Sequence, residues 1–212
     1  MVRGALAQAI PSQKSNLRVV EFGCGTGLGY ELLLQTGADV EYTGIDVSTA
    51  MLDIFKSKVT ADVSLINAPL ESVGSEAFAD MDLVMAIFTS ASYVDLNLED
   101  LLARTAGWLR PRGRLYLSFL NRTSMRHFPR WGLRDQIEYS SRGLNSGTVP
   151  ARRYTKAELL QNCRRLGLVG AVQSLGPFSG VLELAILQRL NSALKSTSRF
   201  THTIELSAFR AG

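Results

Sequence analysis

Three glycines with an acid before and an acid after them could hold a ligand in this chain. Glu21 precedes Gly23, Gly25 and Gly27, which alternate with other residues, and Asp46 follows Gly27 by 19 residues. Glycine has no Cβ and adopts positive φ, so a ligand can lie directly against such a turn. A carboxylate at the distance of Asp46 can accept hydrogen bonds from ribose hydroxyls. These residues predict a site for a cofactor that contains a nucleoside.

Predicted strands and helices must position this site. The run from Leu17 to Phe22 is apolar, is rich in β-branched residues and ends at the glycines, as does a buried strand that enters a tight turn. A helix is predicted over 28–35, and Val40 to Asp46 is predicted as the second strand. The alternation of strands and helices continues from 17 to 120, which predicts a doubly wound parallel sheet.

The rest of the chain follows this pattern with one interruption at 121–150. Apolar spacing, caps and turn residues predict a helix from the N-cap Ser48 to Lys58 and a helix that opens with Thr155 and Glu158 as a capping box. The other predicted helices are 4–10, 96–109 and 182–194, and the other predicted strands are 63–66, 82–88, 115–120, 168–175 and 201–210.

Two cofactor types compete for the glycine turn. In a dinucleotide-binding turn the third glycine comes three positions after the second, and Leu28 occupies that place here. The Gly-x-Gly-x-Gly spacing suits a smaller zwitterionic ligand. The stretch Glu21–Gly27 resembles the first motif of the class I S-adenosylmethionine-dependent methyltransferases. The turn at 110–114 and the Thr155 helix with its following strand also resemble this family, although Arg112 replaces a glycine of the turn.

The resemblance implies a fold, a cofactor and a set of binding residues. The implied fold is a single α/β domain over 1–212, a doubly wound, mostly parallel seven-stranded sheet with an antiparallel C-terminal strand. The implied cofactor is S-adenosylmethionine, with Asp46 on its ribose and Glu21 near its ammonium group. The other residues that the resemblance assigns to the cofactor are Gly23, Cys24, Gly25, Gly27, Val47, Asn67, Ala68 and Ala86.

The acceptor side is predicted from the residues after the fourth and fifth strands. Tyr93 and His127 are candidate catalytic residues, and His127 could act as a general base. Its alternative is a surface histidine, which its position in a basic loop favours. Arg122, Arg126 and Arg130 recur every four residues, and guanidinium groups suit carboxylates or phosphates, so an anionic acceptor is predicted. The alternative is a solvated set of arginines.

Charge and composition narrow the function classes. The net charge is +4, but residues 104–165 carry fourteen basic against three acidic side chains. The segment 121–150 is predicted as an insertion that forms a lid over the acceptor site, and its alternative is a surface excursion. With no long apolar run or signal segment, the expectation is a cytoplasmic protein. Cys24 and Cys163 have no metal-ligand spacing, so reduced thiols and no metal site are predicted.

The leading hypothesis is a methyltransferase that transfers a methyl group by in-line displacement to an oxygen or nitrogen of a small, anionic molecule. The alternatives left open are a lipid or quinone-like acceptor reached by peripheral contact with a membrane, and a non-catalytic protein that binds the cofactor. Nucleic acid is not an expected partner, since the basic region has no recognition module. A monomer and a homodimer are both compatible with the sequence.

Overall fold

The computed structural model describes residues 16–124, 132–140, 148–174 and 203–210. Nine strands and four α-helices lie within these ranges. The predicted helices 4–10 and 182–194 lie outside them. In chain order the elements are β1 (Leu17–Phe22), α1 (Leu28–Leu34), β2 (Val40–Asp46), α2 (Thr49–Lys58), β3 (Ser64–Asn67), β4 (Met81–Ala86), α3 (Leu98–Gly107), β5 (Leu109–Asn121), β6 (Gln136–Ser140), β7 (Thr148–Tyr154), α4 (Lys156–Arg165), β8 (Leu168–Ser174) and β9 (Thr203–Arg210).

Seven of the strands form the predicted sheet. β1 to β5 are parallel in the order β3-β2-β1-β4-β5. β9 pairs antiparallel with β5 on one side and with β8 on the other. The doubly wound sheet and its antiparallel C-terminal strand are therefore confirmed.

The strands β6 and β7 form a hairpin that the sequence analysis did not predict. They pair antiparallel from Gln136↔Arg152 to Ser140↔Thr148. The hairpin joins the sheet through a short parallel pairing at the end of β5, where Leu120 and Asn121 face Arg153 and Tyr154. Part of the polar segment 121–150 is thus regular structure placed beside the carboxyl end of β5.

The sheet is covered on both faces, because successive residues of its central strands are apolar and point to opposite faces. Val19 belongs to a cluster with Leu33 of α1 and Phe55 of α2. Its neighbour Val20 belongs to the opposite cluster, which includes Leu101 of α3 and Leu159 of α4. Successive strand residues point to opposite faces, so two helices on each face bury both sides of the sheet.

Two strand boundaries differ from the predicted ones because of backbone conformation. β4 ends at Ala86 rather than at 88, since Phe88 and Thr89 have φ values of 52° and 67° and leave the extended region. The predicted turn at 110–114 lies within β5 as an irregularity, where Arg112 has a φ of 64°. A Cβ on Gly113 would lie 2.7 Å from the carbonyl oxygen of Met81, so this position requires glycine.

Candidate functional site

The glycine turn is bound to the end of β2. The amides of Gly23 and Cys24 donate to the carbonyl oxygen of Ile45 at 2.8 and 3.2 Å. Gly23 has a φ of 66°, and a Cβ there would lie 2.6 Å from the Cβ of Ser90. A side chain at this position would therefore clash with the 3₁₀ turn Ser90–Ser92 that follows β4.

Asp46 connects the glycine turn to the start of α2. Its Oδ2 accepts a hydrogen bond from the Gly25 amide at 2.8 Å, and its Oδ1 accepts one from the Ser48 amide at 2.9 Å. A carboxylate oxygen has two lone pairs, so each oxygen keeps one for a further donor. The two backbone bonds hold the carboxylate in a defined orientation at the edge of the sheet.

The end of β3 is bound to the same residue. The amide of Ala68 donates to the Asp46 carbonyl oxygen at 3.1 Å, and Asn67 Nδ2 donates to it at 3.0 Å. Asn67 Oδ1 accepts from Thr49 Oγ1 at 2.9 Å. Asn67 therefore joins β2, β3 and α2, and its predicted contact with adenine stays a prediction.

A cavity of about 250 Å³ opens between these strand ends. Of the predicted cofactor residues, Gly23, Asp46, Val47 and Ala68 line it, and the candidate Tyr93 lines its far side. The Val47 side chain is exposed, so an apolar surface is available beside the Asp46 carboxylate. The remaining lining residues are Phe22, Ile45, Pro69, Leu70, Glu71, Ser90 and Val94.

Glu21 lies beneath the turn rather than in the cavity wall. Its side chain is fully buried, accepts a hydrogen bond from the Tyr42 hydroxyl and lies against Gly29 of α1. Burial raises the pKa of Glu21 to about 8, the Tyr42 hydrogen bond lowers it and the charge of Asp46 raises it further. The structure therefore shows Glu21 supporting α1, and its predicted contact with an ammonium group stays a prediction.

The other predicted cofactor residues are not among those that line the cavity. Burial raises the pKa of the Cys24 thiol well above its ordinary range, so the thiol is protonated. Gly27 is the N-cap of α1 with a φ of 87°, and a Cβ there would lie 2.4 Å from the Phe55 ring. Ala86 is buried at the end of β4, beside Leu117 of β5. Their predicted contacts with the cofactor stay predictions.

The structure brings one predicted acceptor residue to the cavity and places another elsewhere. Tyr93 lines the cavity, as stated above. Arg122 NH2 lies 2.5 Å from Oε1 of Glu158, the capping-box residue of α4. Its guanidinium thus binds a carboxylate of the chain itself. The other acceptor candidates, His127, Arg126 and Arg130, lie outside the described residues.

Two arginines of β7 were missed as functional candidates. Arg153 is buried, and its guanidinium donates to the carbonyl oxygens of Asn121, Arg122, Gly132 and Arg134 at 2.8 to 3.4 Å. Arg152 is partly exposed and lies 3.4 Å from Asp95. No local pattern marked them, because the two arginines are adjacent and the strand Thr148–Tyr154 has no regular alternation of polar and apolar residues.

Comparisons with known proteins agree with this geometry. A family model described as Methyltransferase domain matches residues 19–113. Ubiquinone biosynthesis O-methyltransferase of Bartonella quintana is 28% identical over 166 residues, which are 76% of this chain and 63% of that protein. Malonyl-[acyl-carrier protein] O-methyltransferase of Priestia megaterium is 31% identical over 103 residues, 48% of this chain and 36% of that protein. This chain thus spans less than two thirds of the length of either relative.

Similarity of fold covers almost the whole chain. The crystal structure of an S-adenosylmethionine-dependent methyltransferase from Mesorhizobium loti superimposes with a TM-score of 0.69 at 17% identity, over 99% of this chain and 98% of that one. Residues 19–113 are a methyltransferase domain, and the fold is that of the class I S-adenosylmethionine-dependent methyltransferases. The family predicted from the glycine motif is confirmed. In this family member, the glycine turn, Asp46 and Ala68 border one cavity at the carboxyl ends of β1, β2 and β3.

The described residues were also searched for metal sites and membrane-spanning helices. They contain no group of three or more His, Cys, Asp or Glu side chains that could hold a metal ion. Among the helices that the structure describes, none is both long and apolar enough to cross a membrane.

Proposed function

We propose that this protein binds S-adenosylmethionine in the cavity beside Asp46 and transfers its methyl group to an oxygen or nitrogen of a small molecule that carries an anionic group. One observation carries the proposal: Asp46 is held by Gly25 and Ser48 with free lone pairs at a cavity that Gly23 and Ala68 leave open. Ribose hydroxyls are donors that such a carboxylate accepts.

The chemistry that the bound cofactor would supply is an electrophilic methyl group on a sulfonium. The acceptor oxygen or nitrogen would bond to the methyl carbon as the carbon–sulfur bond broke, with the bonding electron pair left on sulfur and the acceptor proton passed to solvent or to a base. Holding the reactants aligned can lower the barrier by roughly 7–11 kcal/mol at best. The residues that line the cavity would contribute this alignment and exclude water.

Cofactor binding is tested with an Asp46→Asn variant. This variant should bind S-adenosylhomocysteine roughly 10- to 100-fold more weakly, because a hydrogen bond to a charged group contributes about 1.5–3 kcal/mol. Asp53→Asn is the matched control, since Asp53 is an exposed residue of α2. Isothermal titration calorimetry on both variants, with melting temperatures as a check of folding, gives the result. Equal affinity of Asp46→Asn and the unchanged protein would refute the assigned site.

The acceptor class is tested by incubating the protein with methyl-labelled S-adenosylmethionine and fractionated cell extract. Label among polar small molecules is the expected result. Label in the solvent-extractable lipid would instead support a lipid or quinone-like acceptor, the second candidate. That candidate is supported by the name of the Bartonella quintana relative, an O-methyltransferase of ubiquinone biosynthesis. Cofactor binding without any transfer would favour the non-catalytic alternative.

A further inference from the structure

Three spaces follow one another from the cofactor cavity to the hairpin. The cavity shares Tyr93 and Val94 with a groove of about 330 Å³ between the loop after β4 and the hairpin. The groove in turn shares Gln136 and Arg152 with a niche of about 120 Å³ that lies toward α4. A molecule in the groove would therefore touch the wall of the cofactor cavity at one end and Arg152 at the other.

The middle of this path is apolar. Ile137 and Ala151 are buried at 7% and 3% exposure, they pack with Leu120, and Tyr93 packs against them. All of these except Leu120 line the groove, together with Pro150. A flat apolar body, such as an aromatic ring, would bury its faces against this surface.

The far end of the path is basic. The niche is lined by three arginines and two acids, namely Arg122, Arg152, Arg153, Asp135 and Glu158. Arg122 binds Glu158, and Arg153 donates to backbone carbonyls, so both are held in place. Burial lowers the pKa of Arg153, and the charge of Arg122 lowers it further.

Arg152 is the arginine best placed to exchange its partner. The Arg152 side chain is 32% exposed, whereas Asp95, 3.4 Å away, is 89% exposed. A pair of this kind contributes roughly 0–1 kcal/mol, so an incoming anion can replace Asp95 at little cost. Glu138 is the other acid that lines the groove, and it is exposed. Solvent therefore screens the negative charge of Glu138 more than it screens the positive charge of Arg152.

We propose that the groove is the acceptor site and that Arg152 binds a carboxylate of a flat, ring-containing acceptor whose methylated atom lies at the Tyr93 end. The planar guanidinium can bind a carboxylate through two parallel hydrogen bonds. This inference rests on the proposed function, which it deepens by assigning the acceptor class and the residue that recognises it. Arg152 is a specificity residue here, and the reacting atoms lie at the other end of the groove.

The test measures binding of three probes to the full chain saturated with S-adenosylhomocysteine. The probes are 3-hydroxybenzoate, its methyl ester and 3-hydroxybenzylamine, which share a ring and a hydroxyl and differ in charge. In the unchanged protein the acid should bind about tenfold more tightly than the ester, the effect of one hydrogen bond to a charged group. Arg152→Gln should abolish this preference, and Arg152→Lys should retain part of it.

Arg165→Gln is the matched control, because Arg165 is an exposed arginine of α4 outside the path, and it should leave the preference unchanged. The inference would be overturned if the acid and the ester bound equally well, or if the preference for the acid survived in Arg152→Gln. It would also be overturned if the amine bound most tightly, or if the acid did not bind below roughly 10 mM. S-adenosylhomocysteine titrated alone separates the two proposals: if it binds while the acid preference is absent, only the acceptor assignment fails.

Discussion

The proposed cofactor side of this molecule, at the glycine turn and Asp46, and the proposed acceptor side, at the hairpin, are built in different ways. On the cofactor side, backbone amides of the glycine turn and of Ala68 donate to atoms of Ile45 and Asp46, all within or beside adjacent parallel strands. On the acceptor side, arginine side chains bridge separate segments. Arg153 joins β7 to residues of 121–122 and 132–134, and Arg152 reaches Asp95 across 57 positions of sequence.

This difference separates what the fold supplies from what single side chains supply. Once β1, β2 and β3 pair in parallel, the backbone groups of the cofactor side meet, and residue identity matters mainly at Asp46 and at the glycines. The acceptor side depends on particular guanidinium groups, so one substitution can change its shape or its charge. Specificity for the acceptor can therefore change while the cofactor site is retained.

The largest effect is expected from Arg153→Met, which removes the side chain that holds the hairpin. It should leave buried and partly buried carbonyl oxygens without this donor and destabilise the hairpin by about 3–5 kcal/mol in all, because each hydrogen bond from a charged group contributes about 1.5–3 kcal/mol. Hydrogen exchange should show fast exchange of the β6 and β7 amides while the β1 and β2 amides stay protected. Arg165→Met, at an exposed arginine, is the control. Equal loss of protection in β1 and β7 would show that the two sides are one cooperative unit.

A pH-dependent effect is expected on the cofactor side, from Glu21. Its pKa is about 8 in the folded protein and near 4.5 when unfolded, so between these values the unfolded chain ionises while the folded protein keeps its proton. Stability should fall as pH rises through this window, by on the order of 3 kcal/mol between pH 5 and pH 8. Glu21→Gln should remove this part of the slope in urea denaturation. A variant whose slope matches that of the unchanged protein would contradict the assignment.

The smallest effect is expected from Gly29→Ala in α1. A Cβ there would lie 2.1 to 2.5 Å from carboxyl atoms of Glu21, so a loss of about 1–3 kcal/mol is expected from overpacking. Gly107→Ala is the control, because Gly107 is also helical and a Cβ there meets nothing within 4 Å. That change should stabilise the protein by up to about 1 kcal/mol. Thermal melts compare the stabilities of Gly29→Ala and Gly107→Ala. If both variants changed the stability in the same direction, Glu21 would not be what limits the side chain at position 29.

The sequence was informative where local patterns determine the structure. The turn that the glycine spacing predicts between β1 and α1, the Ser48 N-cap and the Thr155–Glu158 capping box are confirmed, because each depends on residues a few positions apart. β4 was predicted to run to 88, because an apolar residue such as Phe88 does not signal a positive φ.

The acceptor side was less predictable for a different physical reason. β6 is only five residues long and contains one charged residue, Glu138, whereas β7 contains two adjacent arginines and no regular alternation of polar and apolar residues. Neither segment therefore gives a clear strand pattern. Arg122 was expected to face the acceptor, yet its carboxylate partner is Glu158, 36 residues away. A contact between residues so far apart in the sequence depends on how α4 packs beside the hairpin. The spacing of nearby residues does not predict that packing.

The wall shared by the cavity and the groove limits how this fold can be redesigned or can diverge. Tyr93 and Val94 belong to both spaces, so a substitution there that widens the acceptor groove also reshapes the cofactor cavity. Ile137 and Ala151 line the groove and are absent from the lining of the cavity. If the groove binds the acceptor as proposed, substitutions in the hairpin should change the range of acceptors with little effect on cofactor affinity.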